Sequence, residues 1–383
     1  MFTELSIVLE LKDRIEERGR ITFEEFMDTA LYHPEYGYYT SKKARIGKEG
    51  DYYTSTDVHR AFGACIMRQI EEMNLIMNHS PLNVVEVGAG KGLLCADILL
   101  SAKEKSPTLF KEIRYFIVEK SPDFIERQKR HIEELRLMDK VAWVPEIKEG
   151  LSGNIGIVLS NELIDAFPVH KVIYSNGRWN EIYVTLENGI LTEKEDSISD
   201  QRLADFLTGL EGSFDDRYTT EVNLKAIDWI KGVGNSLQKG FVITIDYGYP
   251  RKELYSVERN RGTLMCYFRH QASEDPYLNI GEQDITTHID FTSLAEAGKA
   301  AGLEVAGFTD QSYFLMGSGI EEEFQQLEDL NAKNIGAFKN NVTLKKLLIP
   351  GGMGSTFKVL IQQKGMERPR LRGFGFKDMA KYL

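Results

Sequence analysis

The chain has 383 residues, 42% hydrophobic and 27% charged, enough for one large globular domain with insertions or two smaller ones. Its 47 basic and 58 acidic residues leave a net charge of −11, which excludes a general nucleic-acid coat but suits a basic protein partner. Three scattered cysteines without a CxxC pair (Cys65, Cys95, Cys266) exclude a disulfide framework and a zinc site, and apolar runs no longer than a strand exclude a membrane-spanning helix.

Residues 1–32 read as two amphipathic helices divided by Gly19, the second opened by a capping box of Thr22 and Glu25. The first helix carries acids that signal and transit peptides avoid, so a cytoplasmic, bacterial protein is expected. Tyr32 to Tyr39 and Gly50 to His59 are crowded with Tyr, Gly and turn formers. A helical pattern resumes from Arg60 to Met77.

From residue 83 the pattern alternates. Strands are predicted at 83–87, 113–118, 141–144 and 155–159, with helices at 93–103 and 122–136 between them, which implies a doubly wound α/β sheet. A hairpin around Asn176-Gly177 interrupts it, joining 169–173 to 179–186. A helix over 220–237, a strand at 241–245, a long loop over 249–285 and a helix over 291–301 follow. Strands at 303–308 and 356–362 flank a mainly helical stretch, 321–348. The expected organisation is a helical and aromatic cap (1–80), a core (81–365) with insertions at 166–240 and 310–350, and a basic tail (366–383). The tail reads as solvated.

Chemistry concentrates in Glu86-Val-Gly88-Ala89-Gly90-Lys-Gly92. Glycines permit positive φ and close backbone approach, and the loop follows a strand at the carboxyl edge of the sheet, where such folds bind ligands. A dinucleotide fingerprint needs glycine where Leu93 stands, and a P-loop needs Ser or Thr after Lys91. The acid of Glu86 suits the cationic amino-acid part of S-adenosylmethionine. Glu119, at the tip of the next strand, suits the ribose hydroxyls, and it also fits a cap for the helix that begins at Pro122.

Strand 155–159 runs into Ser160-Asn161-Glu162-Leu-Ile-Asp165-Ala-Phe-Pro168. Asn161 suits the donor or the substrate nitrogen. Glu162 and Asp165 are the candidate catalytic acids, able to orient a nitrogen nucleophile and accept its proton. The same letters read as a helix start, with Asn161 as N-cap and Asp165 one helical turn after Glu162. Asp246 and Tyr247 are expected at the same rim. His270 and His288 flank a polar stretch without metal-ligand spacing, so no metal is expected.

The sequence resembles the MidA family of methyltransferases, related to the mitochondrial complex I assembly-factor arginine methyltransferase. The likeness lies in Tyr32-His-Pro-Glu-Tyr-Gly-Tyr-Tyr39, Gly50 to Gly63, the glycine loop, Asn161 to His170, Asp246-Tyr-Gly248, Arg261 to Tyr267 and Asn279 to Phe291. Tyr52 and Thr56 depart from the family's Phe and Pro. The resemblance implies a class I methyltransferase fold (Rossmann-like) and S-adenosylmethionine as donor. For the mitochondrial relative it implies dimethylation of a protein arginine. Protein arginine N-methylation is therefore the leading expectation. N- or O-methylation of a small molecule, and a donor-binding assembly factor with little catalysis, are the alternatives.

Overall fold

The computed structural model describes residues 2–41, 59–324, 344–345, 347–349, 353–367 and 369–383. The segment 50–58 and most of the expected helical stretch 321–348 lie outside them. The chain divides into two compact units. One comprises Met1–Tyr52, Ile164–Trp229 and Tyr249–Ser293, the other Tyr53–Leu163, Ile230–Gly248 and Leu294–Leu383.

The second unit holds the predicted sheet. Its strands are β1 (Leu82–Val87), β2 (Ile113–Val118), β3 (Val141–Val144), β4 (Ile155–Asn161), β5 (Lys239–Tyr249), β6 (Glu304–Asp310) and β7 (Phe357–Lys364). They lie in the order β6-β7-β5-β4-β1-β2-β3. The pairings from β5 to β3 are all parallel, and β7 runs antiparallel to both neighbours. Val84, Val85, Ile157, Val158, Phe241 and Ile243 are wholly buried, as a sheet covered on both faces requires. Helices Ala61–Met77 and Leu93–Lys105 bury Phe62, Ile66, Ile98 and Leu99 in the same core as Ile117 and Ile245.

The expectation of a solvated tail is corrected. Leu371 and Phe374 are buried in the core, and the Gly373 amide donates to Gln69 Oε1 at 3.0 Å. The Met379 amide donates to the Phe308 carbonyl at 2.6 Å on the edge strand β6. Apolar residues among the basic ones dock the segment.

The other unit is built from the N-terminal helices Phe2–Arg18 and Phe23–Tyr32 and two antiparallel sheets. The Thr22–Glu25 capping box is formed, with both reciprocal bonds near 3 Å. The hairpin turns at Asn176 and Gly177, both with positive φ. Strand Tyr218–Val222 replaces the first turn of the helix expected from 220, because its backbone pairs with His170–Tyr174; the helix begins at Leu224. Strands Met265–Phe268, Gln271–Ser273 and Asp284–Thr286 form a small sheet inside the expected long loop. Ile7, Leu11, Phe23, Phe26, Val184 and Cys266 share this unit's main core. Among the described residues, no helix is long and apolar enough to cross a membrane.

Candidate functional site

Strand β1 is buried from Leu82 to Glu86 and delivers the chain to Gly88 at the carboxyl edge of the sheet. Gly88, Gly90 and Gly92 all have positive φ, at 70°, 51° and 77°. A Cβ at Gly88 would lie 2.8 Å from Leu163 Cδ1, whereas one at Gly90 would meet nothing within 4 Å. The loop is thus packed at its base and open at its centre. Gly92 begins helix Leu93–Lys105, and Ala89 is largely buried beneath the turn.

Glu86 is only 3% exposed, and its Oε2 accepts a hydrogen bond from the Tyr115 hydroxyl at 2.8 Å. Burial raises its carboxyl to about 7; the Tyr115 bond opposes the rise and the Glu119 charge adds to it.

At the tip of β2, Glu119 Oε1 accepts the amides of Lys120 at 2.9 Å and Ser121 at 3.0 Å, and its Oε2 accepts Gln128 Nε2 at 3.3 Å. Burial raises the Glu119 carboxyl, against these three donors. Gln128 Nε2 also donates to the Gly90 carbonyl at 2.8 Å, and Trp143 Nε1 donates to Gln128 Oε1 at 2.8 Å. The sequence reading missed Gln128 and Trp143. The available signal was a glutamine on the apolar stripe Phe124-Gln128-Ile132, the buried face of helix Pro122–Glu134.

The carboxyl end of β4 turns sharply. Glu162 has φ 53° and donates its amide to the Ile245 carbonyl at 2.9 Å. The Leu163 and Tyr247 amides bind the two oxygens of Asp246, at 3.2 and 2.9 Å, and Asp246 is 1% exposed. Asn161 Nδ2 donates to Glu162 Oε1 at 3.1 Å. Asn161 Oδ1 is buried and has no partner among the described residues.

The helix start expected at Asn161 is corrected: ladder bonds carry β4 through Asn161, and the left-handed Glu162 leads into irregular turns. Asp165 is therefore not one helical turn beyond Glu162. The boundary between the units falls after Leu163, so Glu162 belongs to the sheet unit and Asp165 to the other. There Asp165 is 5% exposed. Its charge, after burial and the charge of Asp284, helps raise the Tyr267 hydroxyl. His270 is exposed, and the ring of His288 lies 5.4 Å from that of Tyr249. No group able to hold a metal occurs among the described residues.

A parallel sheet with one reversed strand between β5 and β6, and a glycine turn after β1, defines a class I methyltransferase. A family model described as "Putative S-adenosyl-L-methionine-dependent methyltransferase" matches residues 62–309, and the chain belongs to that family. The mitochondrial protein arginine methyltransferase NDUFAF7 homolog of Drosophila melanogaster is 24% identical, over 94% of this chain and 85% of its own length. The human NDUFAF7 arginine methyltransferase is 25% identical, over 82% and 74%. A crystal structure from Burkholderia thailandensis, bound to S-adenosyl-homocysteine, superposes with a TM-score of 0.91 at 28% identity, covering 100% of this chain and 97% of that one.

The protein is accordingly an S-adenosylmethionine-dependent methyltransferase. Its residues fit that cofactor: the turn is open at Gly90, and the buried acceptor Asn161 Oδ1 suits an ammonium or amino group.

Proposed function

We propose that the protein transfers methyl groups to arginine side chains of a basic protein. The carrying observation is the Asn161-Glu162-Leu163 turn, which sets a carboxylate-bearing residue in left-handed conformation against the donor loop through the Leu163–Gly88 contact. The names of the relatives, as protein arginine methyltransferases, support the substrate class.

In this reading Gly88, Ala89, Gly90 and Gly92 hold the amino-acid part of the donor, whose positive charge favours the carboxylate form of Glu86 beneath them against the rise that burial imposes. Glu119 accepts from the ribose, and Asn161 Oδ1 accepts a donor N–H. The bound donor supplies an electrophilic methyl group on sulfur. Glu162 would hold the guanidinium by charge-assisted hydrogen bonds and take the proton its nitrogen loses as the methyl passes from sulfur to nitrogen, the sulfur–methyl bond breaking and the neutral thioether leaving.

The test uses donor labelled in the methyl group, incubated with the full chain and a cell lysate. Labelled protein whose hydrolysate contains methylarginine is the expected result; label confined to small molecules defeats the substrate assignment. Glu162→Gln is expected to slow transfer by about 10²-fold or more while S-adenosylhomocysteine binds within roughly threefold of wild type. Undiminished transfer removes Glu162 from the chemistry, and a wild-type chain that binds donor but never transfers would make it a binding protein.

A further inference from the structure

Gln128 has no part in the function described so far, yet its side chain is wholly buried and every polar atom of its amide is engaged. The Trp143 indole N–H only donates, so the amide oxygen of Gln128 must face it. The NH2 group is then obliged to face the Gly90 carbonyl and Glu119 Oε2, both of them acceptors. No other orientation satisfies all three partners.

We propose that Gln128 is a positioning residue for the methyl donor, whose single amide, oriented by Trp143, fixes the shape of the glycine loop and the free acceptor of Glu119 together. This rests on the reading of Glu119 as the ribose acceptor. A carboxylate offers about four lone-pair sites. The Lys120 and Ser121 amides take two on Oε1, and Gln128 takes one on Oε2. The remaining site, also on Oε2, is left for a ribose hydroxyl, and its direction follows from where Gln128 binds. The other N–H of the amide holds the carbonyl of Gly90, the residue at the open centre of the turn. A ligand spanning the loop and the strand tip thus meets two contacts spaced by one rigid side chain. Gly92 adds to the constraint: a Cβ there would lie 3.4 Å from Gln128 Cγ, so the loop closes directly over this side chain.

The experiment measures, by calorimetry on the full chain, the affinity for S-adenosylhomocysteine and for its 2′,3′-dideoxy analogue. The ratio isolates the ribose hydroxyls from general damage to the fold. Wild type is expected to prefer the hydroxylated ligand by about tenfold or more, as for a hydrogen bond to a charged acceptor. Gln128→Leu and Trp143→Phe should each narrow that ratio by at least roughly threefold. Trp143→Phe keeps an aromatic side chain, smaller than the indole, and removes the N–H that orients the amide, so it decides the matter if Gln128→Leu fails to fold. An unchanged ratio in folded Trp143→Phe, even with both affinities weakened equally, overturns the positioning role. Glu119→Gln separates the two levels. If it leaves the ratio intact, the ribose reading itself fails; if it collapses the ratio and Trp143→Phe does not, only the inference about Gln128 falls.

Discussion

One methyl group separates Gly88 from alanine, and the fold has no place for it. The residue sits at φ 70°, and the added carbon would stand 2.8 Å from Leu163 Cδ1. Left-handed backbone costs an L-residue about 1–2 kcal/mol, and displacing Leu163 disturbs the turn that carries Glu162. Gly88→Ala is expected to lower unfolding stability by about 1–3 kcal/mol in chemical denaturation and to weaken S-adenosylhomocysteine binding. Unaltered binding would show that the loop tolerates a reshaped base. Glu86 yields a prediction of opposite character. Its folded carboxyl lies near 7 against an ordinary 4.5, so the folded chain keeps a proton that the unfolded chain releases. Stability should therefore be fullest below about pH 4.5, decline as pH rises toward 7, and level off above it, by at most ~3 kcal/mol from this group. Asp97, raised to about 6 by burial, acts in the same sense, as do the raised Glu119 and Glu221. Glu86→Gln, which still accepts from Tyr115, should melt higher than wild type at pH 8 and show a shallower decline between pH 5 and 7. An unchanged slope would mean that Glu86 ionises freely in the folded chain.

At the scale of elements, the C-terminal segment shows where sequence patterning informs and where it misleads. The parallel strands were legible because strands covered on both faces must be short unbroken apolar runs, and Val84 to Val87 and Phe241 to Ile245 are such runs apart from Glu86 and Thr244. The hairpin was legible because Asn176-Gly177 supplies the two positive φ values its turn needs. The glycine turn after β1 and the place of Glu119 at the tip of β2 were legible from spacing. Tyr218–Val222 was not, since Thr219, Thr220 and Glu221 carry no apolar alternation and the strand exists through its partner. The helix start at Asn161 was a local preference overruled by ladder bonds to β5. The basic tail misled because charge was weighed above Leu371 and Phe374. Those two residues, with the Met379–Phe308 bond on β6, make the tail the cover of an edge strand. Ending the chain after Glu367 should therefore cost about 3–6 kcal/mol of apolar burial and expose the β6 edge to self-association. A lower melting temperature and higher-mass species in gel filtration are expected. A monodisperse truncation melting like wild type would show the cover to be dispensable.

At the scale of the whole chain, the governing quantity is charge. A net −11 from 47 basic and 58 acidic residues surrounds the protein with a negative potential over distances of about 8–10 Å at physiological salt. A basic, arginine-bearing protein would be drawn toward it and would form encounter complexes faster at low ionic strength, whereas a neutral small molecule would gain nothing. S-adenosylhomocysteine carries no net charge near neutral pH and serves as the internal control. With a basic protein substrate, kcat/KM is expected to fall by about tenfold as sodium chloride rises from roughly 50 to 300 mM, while the Kd for S-adenosylhomocysteine changes by less than about twofold. Because steering acts on encounter, the loss should appear in kcat/KM and leave kcat nearly constant. A loss in kcat instead would point to salt acting within the reacting complex, at Glu162 and the bound guanidinium. A flat profile for both quantities would argue that the substrate is small or uncharged, and would return the small-molecule reading to the front.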